Sequence, residues 1–323
     1  MAQPAGVFVT FSSRGLREDL ENVIYDISPT DTPFMSMGGR GNAVAVNHEW
    51  QTDALAANAT NNHHEEGATL AAAEPAATTR VGNICQISLK TTLVSGTLDA
   101  VSKAGRKEEL AYQMSKRSKE LKRDMETTMC GTNQAKTAMA ADTTVRKLGS
   151  LATWVSTNVS AGTGGSGAGN GAARTDAATS NRRAFTETLL KAPILTAYEN
   201  GADIKYIMMH PSQKQTFSSF VGVGGANGVS NYTDTADQRI IGGMDVYVSD
   251  FGEMAVVPNR FQRDRDIYLL DPEYYKTSYL RPFFQREVAS TSDGEQRAIV
   301  VEYTLQVDNE QALGAIYDLT IPA

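Results

Sequence analysis

Residues 97–130 read TLDAVSKAGRKEELAYQMSKRSKELKRDMETTMC, and this stretch decides how the rest of the chain is arranged. Leu110, Met114, Leu121 and Met125 share one face at helical spacing, and Val101 and Met129 continue the line. Lys103, Arg106, Lys107, Lys116, Lys119, Glu120, Lys122 and Arg123 cover the remainder. Lys116–Glu120 and Lys122–Glu126 are opposite-sign pairs one turn apart, each adding about 0.2–0.5 kcal/mol. Thr97 and Asp99 are candidate caps, and Gly131 is a stop. Unbroken, the segment would form a rod roughly 45–50 Å long, although Gly105 weakens its first turns. A single narrow apolar stripe on such a rod suits a helix laid across a sheet.

Working outward, residues 42–96 read as a long two-stranded excursion. Val44, Val46, His48 and Trp50 alternate on the way out, and Val81, Ile84, Ile87, Leu89 and Leu93 mark the return. Ala54 to Thr79 between them is small and polar, with little to bury. Residues 1–41 are a Pro-punctuated arm holding one amphipathic stretch, Leu16 to Ile27, which Pro29 and Pro33 stop. On the other side, residues 131–183 hold a low-complexity run from Ala161 to Ala172. Residues 184–290 alternate helix (Phe185 to Tyr198, Ser212 to Phe220) with strand (Ile204 to Met209, Val246 to Val248, Met254 to Val257, Ile267 to Leu270). Ile299 to Val307 and Ala315 to Leu319 are expected to form an antiparallel hairpin. The class is α+β.

Composition narrows the function. The 323 residues carry 30 basic and 37 acidic side chains, a net charge of −7, and 41% hydrophobic against 21% charged residues. That is globular composition, and the acidic balance argues against a dedicated nucleic-acid reader. No apolar run is long enough to cross a membrane, and the first residues show no secretory pattern. Two cysteines, Cys85 and Cys130, provide no disulfide framework or zinc site.

Enzymatic signals fail on their surroundings. Gly162 to Gly167 matches G-x-G-x-x-G literally, but no helix-forming pattern follows it, so it reads as a flexible surface loop. His63, His64, Glu65 and Glu66, with His48, lack metal-ligand spacing. His210 before Pro211 reads as structural. No G-x-S-x-G elbow is present. Asp264 and Asp266 alternate with Arg263 and Arg265, a pattern of an exposed edge or subunit contact. No catalytic residue, cofactor or metal is expected.

The segment Glu21-Asn-Val-Ile-Tyr-Asp-Ile-Ser-Pro-Thr-Asp-Thr-Pro-Phe-Met-Ser-Met37 resembles the SU10-like family of tailed-phage major capsid proteins. His48 to Leu55, Arg146 to Leu151, Lys214 to Phe217, Val246 to Gly252 and Val257 to Gln262 support the resemblance. So do Asp271 to Tyr275, Tyr279 to Pro282, Val301 to Leu305 and Gly314 to Leu319. The resemblance implies an HK97-like capsid fold. In it, residues 1–41 would be an N-arm and 42–96 an extended E-loop. Residues 97–183 would form a P-domain with its spine helix at 97–130 and the Gly-rich loop at 159–178. Residues 184–290 would be the A-domain, and 291–323 the hairpin completing the P-domain. It further implies a virion protein, assembled in the bacterial cytoplasm, that builds hexamers and pentamers around double-stranded DNA. Its partners would be a portal protein and, in some systems, scaffold and decoration proteins, with no membrane. Arg263, Asp264, Arg265 and Asp266 are then candidate inter-subunit ion pairs, and Cys85 with Cys130 a candidate inter-subunit disulfide. The rival readings are a phage decoration or tail protein and a nucleotide-dependent oxidoreductase.

Overall fold

A computed structural model describes residues 28–56, 58–69, 75–103, 105, 107–141, 143–220, 245–289 and 293–322. The elements are, in chain order, α1 (Pro33–Met37), β1 (Gly39–Asn42), β2 (Asn47–Thr52), β3 (Thr79–Ile84), β4 (Gln86–Ser95), α2 (Gly96–Ala100) and α3 (Glu109–Cys130). They continue with β5 (Val159–Ser160), α4 (Glu187–Glu199), β6 (Tyr206–Met209), α5 (Pro211–Phe217), β7 (Val246–Ser249) and β8 (Gly252–Pro258). The last four are β9 (Ile267–Leu270), β10 (Tyr275–Val288), β11 (Gly294–Val307) and β12 (Gly314–Ile316). The amphipathic stretch Leu16 to Ile27 lies outside the described residues.

The expected long helix is two helices. α2 ends at Ala100, and Gly105 takes φ +75°, a left-handed conformation that a continuous helix cannot contain. Ser95, rather than Thr97 or Asp99, caps α2 by accepting from the Leu98 amide at 3.3 Å. α3 then runs 22 residues, roughly 33 Å, and stops at Gly131 as expected. A Cβ on Gly131 would lie 2.1 Å from the Phe261 carbonyl oxygen, so close approach of the next segment dictates this glycine.

α3 lies across a four-stranded sheet of order β1-β10-β11-β4. Its stripe of Leu110, Met114, Leu121, Met125 and Met129 shares one core with Ile299, Val301, Tyr303, Leu305 and Val307 of β11. On β4, Ile87, Leu89 and Leu93 are exposed, whereas Lys90 turns toward α3 and pairs with Asp124 at 2.7 Å. The excursion between residues 42 and 96 is divided. β2 and β3 form a separate antiparallel ribbon, while β4 pairs with β11.

The second sheet has six strands in the order β5-β12-β9-β6-β8-β7. Its central strands are apolar on both faces because each face meets a different core. Met208, Tyr268 and Leu270 join the core of α3, and Ile207, Met209, Ile267 and Leu269 join Leu190 and Ile194 of α4 and Phe217 of α5. The expected C-terminal hairpin does not form. β11 pairs with β10 and β4, while β12 pairs with β9 and β5 in the other sheet. β10, counted with residues 184–290 from sequence, likewise belongs with β11. Pairing is decided by which face must be buried, and that is invisible in two neighbouring apolar runs.

The Gly-rich segment is packed, contrary to the expected surface loop. The Gly162 amide donates to Asp318 at 3.2 Å, and a Cβ on Gly167 would lie 2.9 Å from the Ser156 Cα. Leu121→Ala, at a fully buried position on the stripe, is expected to cost about 2–5 kcal/mol, read from urea unfolding of the purified subunit.

Candidate functional site

Among the described residues, the informative chemistry lies where separate parts of the chain are fastened together. The first such point is Glu126. Helical spacing pairs it with Lys122, but it lies fully buried beside Met125 and Met129. Its two carboxylate oxygens accept from the amides of Phe34 at 2.8 Å and Met35 at 3.0 Å, in the first turn of α1. Oε1 also accepts from Asn259 Nδ2 at 2.8 Å. Pro33 at the start of α1 has no amide to satisfy, so the carboxylate meets the free donors that follow. Phe34 stacks on Tyr275 with ring centroids 4.6 Å apart, and the Tyr275 hydroxyl donates to the Phe34 carbonyl at 3.3 Å. One carboxylate thus fastens α1 and the segment after β8 to α3. Burial pushes the Glu126 carboxyl above its ordinary range, opposed by these three donors.

The second point is an ion cluster around Arg174. Its buried guanidinium lies 3.2 Å from Asp318, 3.8 Å from Asp266 and against Asp176, and stacks 4.0 Å over the Tyr317 ring. Arg263 bridges Asp176 at 2.5 Å and Asp266 at 3.2 Å. Asp318, at φ +60°, also accepts from the Ala177 amide at 3.0 Å. The cluster ties the Gly-rich segment, the turn before β9 and the residues after β12 into one unit. Burial raises the Asp266 carboxyl to about 6, against the pull of Arg263 and Arg174, and the Asp176 and Asp318 charges add to the rise. Among the described residues neither Asp266 oxygen accepts a hydrogen bond, so the charges of Arg263 and Arg174 alone oppose the cost of its burial.

The four residues singled out from sequence therefore separate. Asp266 is completely buried and Arg263 faces inward, so both serve the chain's own cluster and Asp266 cannot touch a neighbour directly. Asp264 and Arg265 lie nearer the surface, 3.9 Å apart. Cys85 and Cys130 are both free thiols buried within the subunit. Burial, with Glu302 nearby, pushes the Cys85 thiol up to about 11, and burial raises Cys130 as well. His63, His64, Glu65 and Glu66 are exposed, and no metal-binding cluster occurs among the described residues. His210 accepts from the Ser212 amide at 3.3 Å as the cap of α5. Arg174, Asp176 and Asp318 were not legible from sequence. Glu126 had one signal, an acid set directly between two methionines of the apolar stripe.

A family model described as SU10 major capsid protein matches residues 3–320. The chain belongs to the SU10 major capsid protein family. The major capsid protein of Escherichia phage Phieco32 is 39% identical over 142 residues, covering 44% of this chain and 40% of that protein. The chain thus spans about 40% of the length of the curated relative it matches. Among solved structures, one from Gordonia phage Cozz superposes with TM-score 0.62 at 9% identity over 99% of this capsid chain and 98% of the other. The capsid of a native GTA particle gives 0.61 at 12% identity, covering 96% and 98%. One from Mycobacterium phage Ogopogo gives 0.59 at 12%, covering 97% and 100%. At such identities the likeness is one of fold, the HK97-like capsid fold. The segments quoted for the family resemblance include residues of both fastenings. Phe34, Asn259 and Tyr275 surround Glu126, and Asp318 anchors the ion cluster.

Glu126→Gln replaces one acceptor oxygen with a donor facing an amide. It is expected to cost about 1–3 kcal/mol and to speed amide hydrogen exchange selectively at Phe34 and Met35. Asp266 gives a pH signature. Its folded value of about 6 exceeds the ordinary 3.8, so the folded state holds the proton more tightly. Stability from this group is present below about pH 4 and is lost as pH rises towards and through 6, a change of about 3 kcal/mol. The urea midpoint of Asp266→Asn should therefore lack this decline when compared with the unmodified chain between pH 4 and 7.

Proposed function

We propose that this phage major capsid protein closes, as hexamers and pentamers, into the icosahedral shell that encloses double-stranded DNA. The observation that carries this reading is the excursion between β2 and β3. Every described residue from 53 to 78 is exposed, including Leu55 at 99%. A long segment with no burial in its own chain gains burial from a neighbouring copy, and symmetry repeats that contact around a closed shell. In this reading residues 1–41 are the N-arm, rooted by α1 on Glu126, and 42–96 the E-loop, rooted by β2, β3 and β4. Residues 97–183 and 291–323 make the P-domain with α3 as spine. Residues 184–290 make the A-domain, with β10 lending its pairing to the P-domain sheet. The surface pair Asp264 and Arg265 is available for an ion pair with a neighbour, contributing about 0–1 kcal/mol. A portal protein at one vertex, with scaffold and decoration proteins where the phage supplies them, completes the partners.

Negative-stain microscopy of the protein expressed alone tests the proposal. Closed shells or five- and six-fold capsomers support it, and monomers or open tubes overturn it. Replacing residues 54–77 by a short Gly-Ser linker should change subunit stability by no more than about 0.5 kcal/mol, yet abolish closed shells.

A further inference from the structure

The solvent face of α3 has a charge pattern that the subunit's own described residues do not balance. Lys116, Lys119 and Lys122 are exposed and Arg123 is half-buried. The expected partners of this row are engaged elsewhere. Glu120 is held by Arg117 at 2.7 Å, Asp124 by Lys90 at 2.7 Å, and Glu126 lies buried under α1. Lys116, Lys119, Lys122 and Arg123 are left with no ion pair among the described residues. Residues 116, 119 and 123 follow one another on the same side of the helix, along roughly 10 Å of its axis. This positive row stands out on a chain whose net charge is −7.

We infer that this face of α3 is a contact surface for the phosphate backbone of duplex DNA, without sequence preference, and that it lines the interior of the shell. The inference rests on the reading of the chain as a DNA-enclosing capsid protein. Charge complementarity chooses the partner class. A protein partner would be held by apolar or aromatic anchors; Ala111, Ser115 and Ser118 beside the cations offer none, and Phe283 and Phe284, which line the groove next to Lys119, are half-buried. A phosphate backbone needs only cations at an accessible surface. Packed side by side without a polyanion, the four cations repel one another, and phosphate relieves that repulsion. Four contacts per subunit make a weak and salt-sensitive grip. Repeated over a shell, such contacts hold DNA against the wall while any one of them releases readily.

The test uses the full chain and a fluorescein-labelled 30-bp duplex of mixed sequence, with anisotropy followed between about 50 and 200 mM salt. The combined variant Lys116→Gln, Lys119→Gln, Lys122→Gln and Arg123→Gln retains good helix formers at surface positions. The unmodified protein should show a slope of log affinity against log salt near −3.6, about −0.9 per cation. The variant should bind at least about tenfold more weakly at 50 mM salt, with a slope near zero. An unchanged slope overturns the inference. So does a variant that loses binding to poly-glutamate but keeps its binding to the duplex, which would assign the row to an acidic protein. A second measurement needs no variant. An amine-reactive polyethylene glycol too large to enter closed particles should label Lys116, Lys119 and Lys122 in free subunits and spare them in particles. Labelling within closed particles overturns the interior placement. Failure of the capsid reading is seen separately, as the absence of closed particles.

Discussion

The apolar stripe of α3 is the contact on which the remaining structure depends. Leu121, Met125 and Met129 are fully buried in one core with Val301, Tyr303 and Leu305 of the four-stranded sheet. The same core contains Met208, Tyr268 and Leu270 of the six-stranded sheet. A single helix therefore joins two sheets that share no strand. Methionine suits that position, since its unbranched side chain fills the irregular space where the sheets meet. Because both sheets are referred to one rigid rod, the segments leaving them inherit defined positions at their roots, even where they extend from the body.

The polar fastenings work within that frame. Glu126 and the Arg174 cluster place charge inside the core, where unpaired charge is costly. Each is tolerated because it meets several partners from distant parts of the sequence. Such fastenings contribute more to position than to net stability, since their hydrogen bonds and ion pairs can be satisfied in only one arrangement of the segments. The proposed shell would require that property, because segments reaching a neighbour must leave the body at set angles, and a core held by apolar contacts alone tolerates repacking.

The charges on α3 divide according to the same geometry. Sequence spacing pairs Lys116 with Glu120 and Lys122 with Glu126, but three acids on the helix are claimed by Arg117, Lys90 and the amides of α1. Helical spacing states which side chains are within reach. It does not state which competing partner arrives from another element. The cationic row is the residue of that competition, visible only after the other partners are in place.

Much was legible in the chain itself. The stripe of Leu110, Met114, Leu121 and Met125, the strands at 206–209 and 246–270, and the exposed polar flap follow from periodicity and composition, because these are local properties of residue order. The long-range choices were not legible. Gly105 divides the expected rod, Ile299 to Val307 and Ala315 to Leu319 go to different sheets, and the Gly-rich segment packs against Asp318 and Ser156. Several of these choices join residues far apart in the chain, as Arg174 and Asp318 are, and no local pattern encodes them. Residue order set the pieces and their apolar faces. Burial of those faces against one another settled the pairing, the fate of each charge and the surfaces left for neighbours.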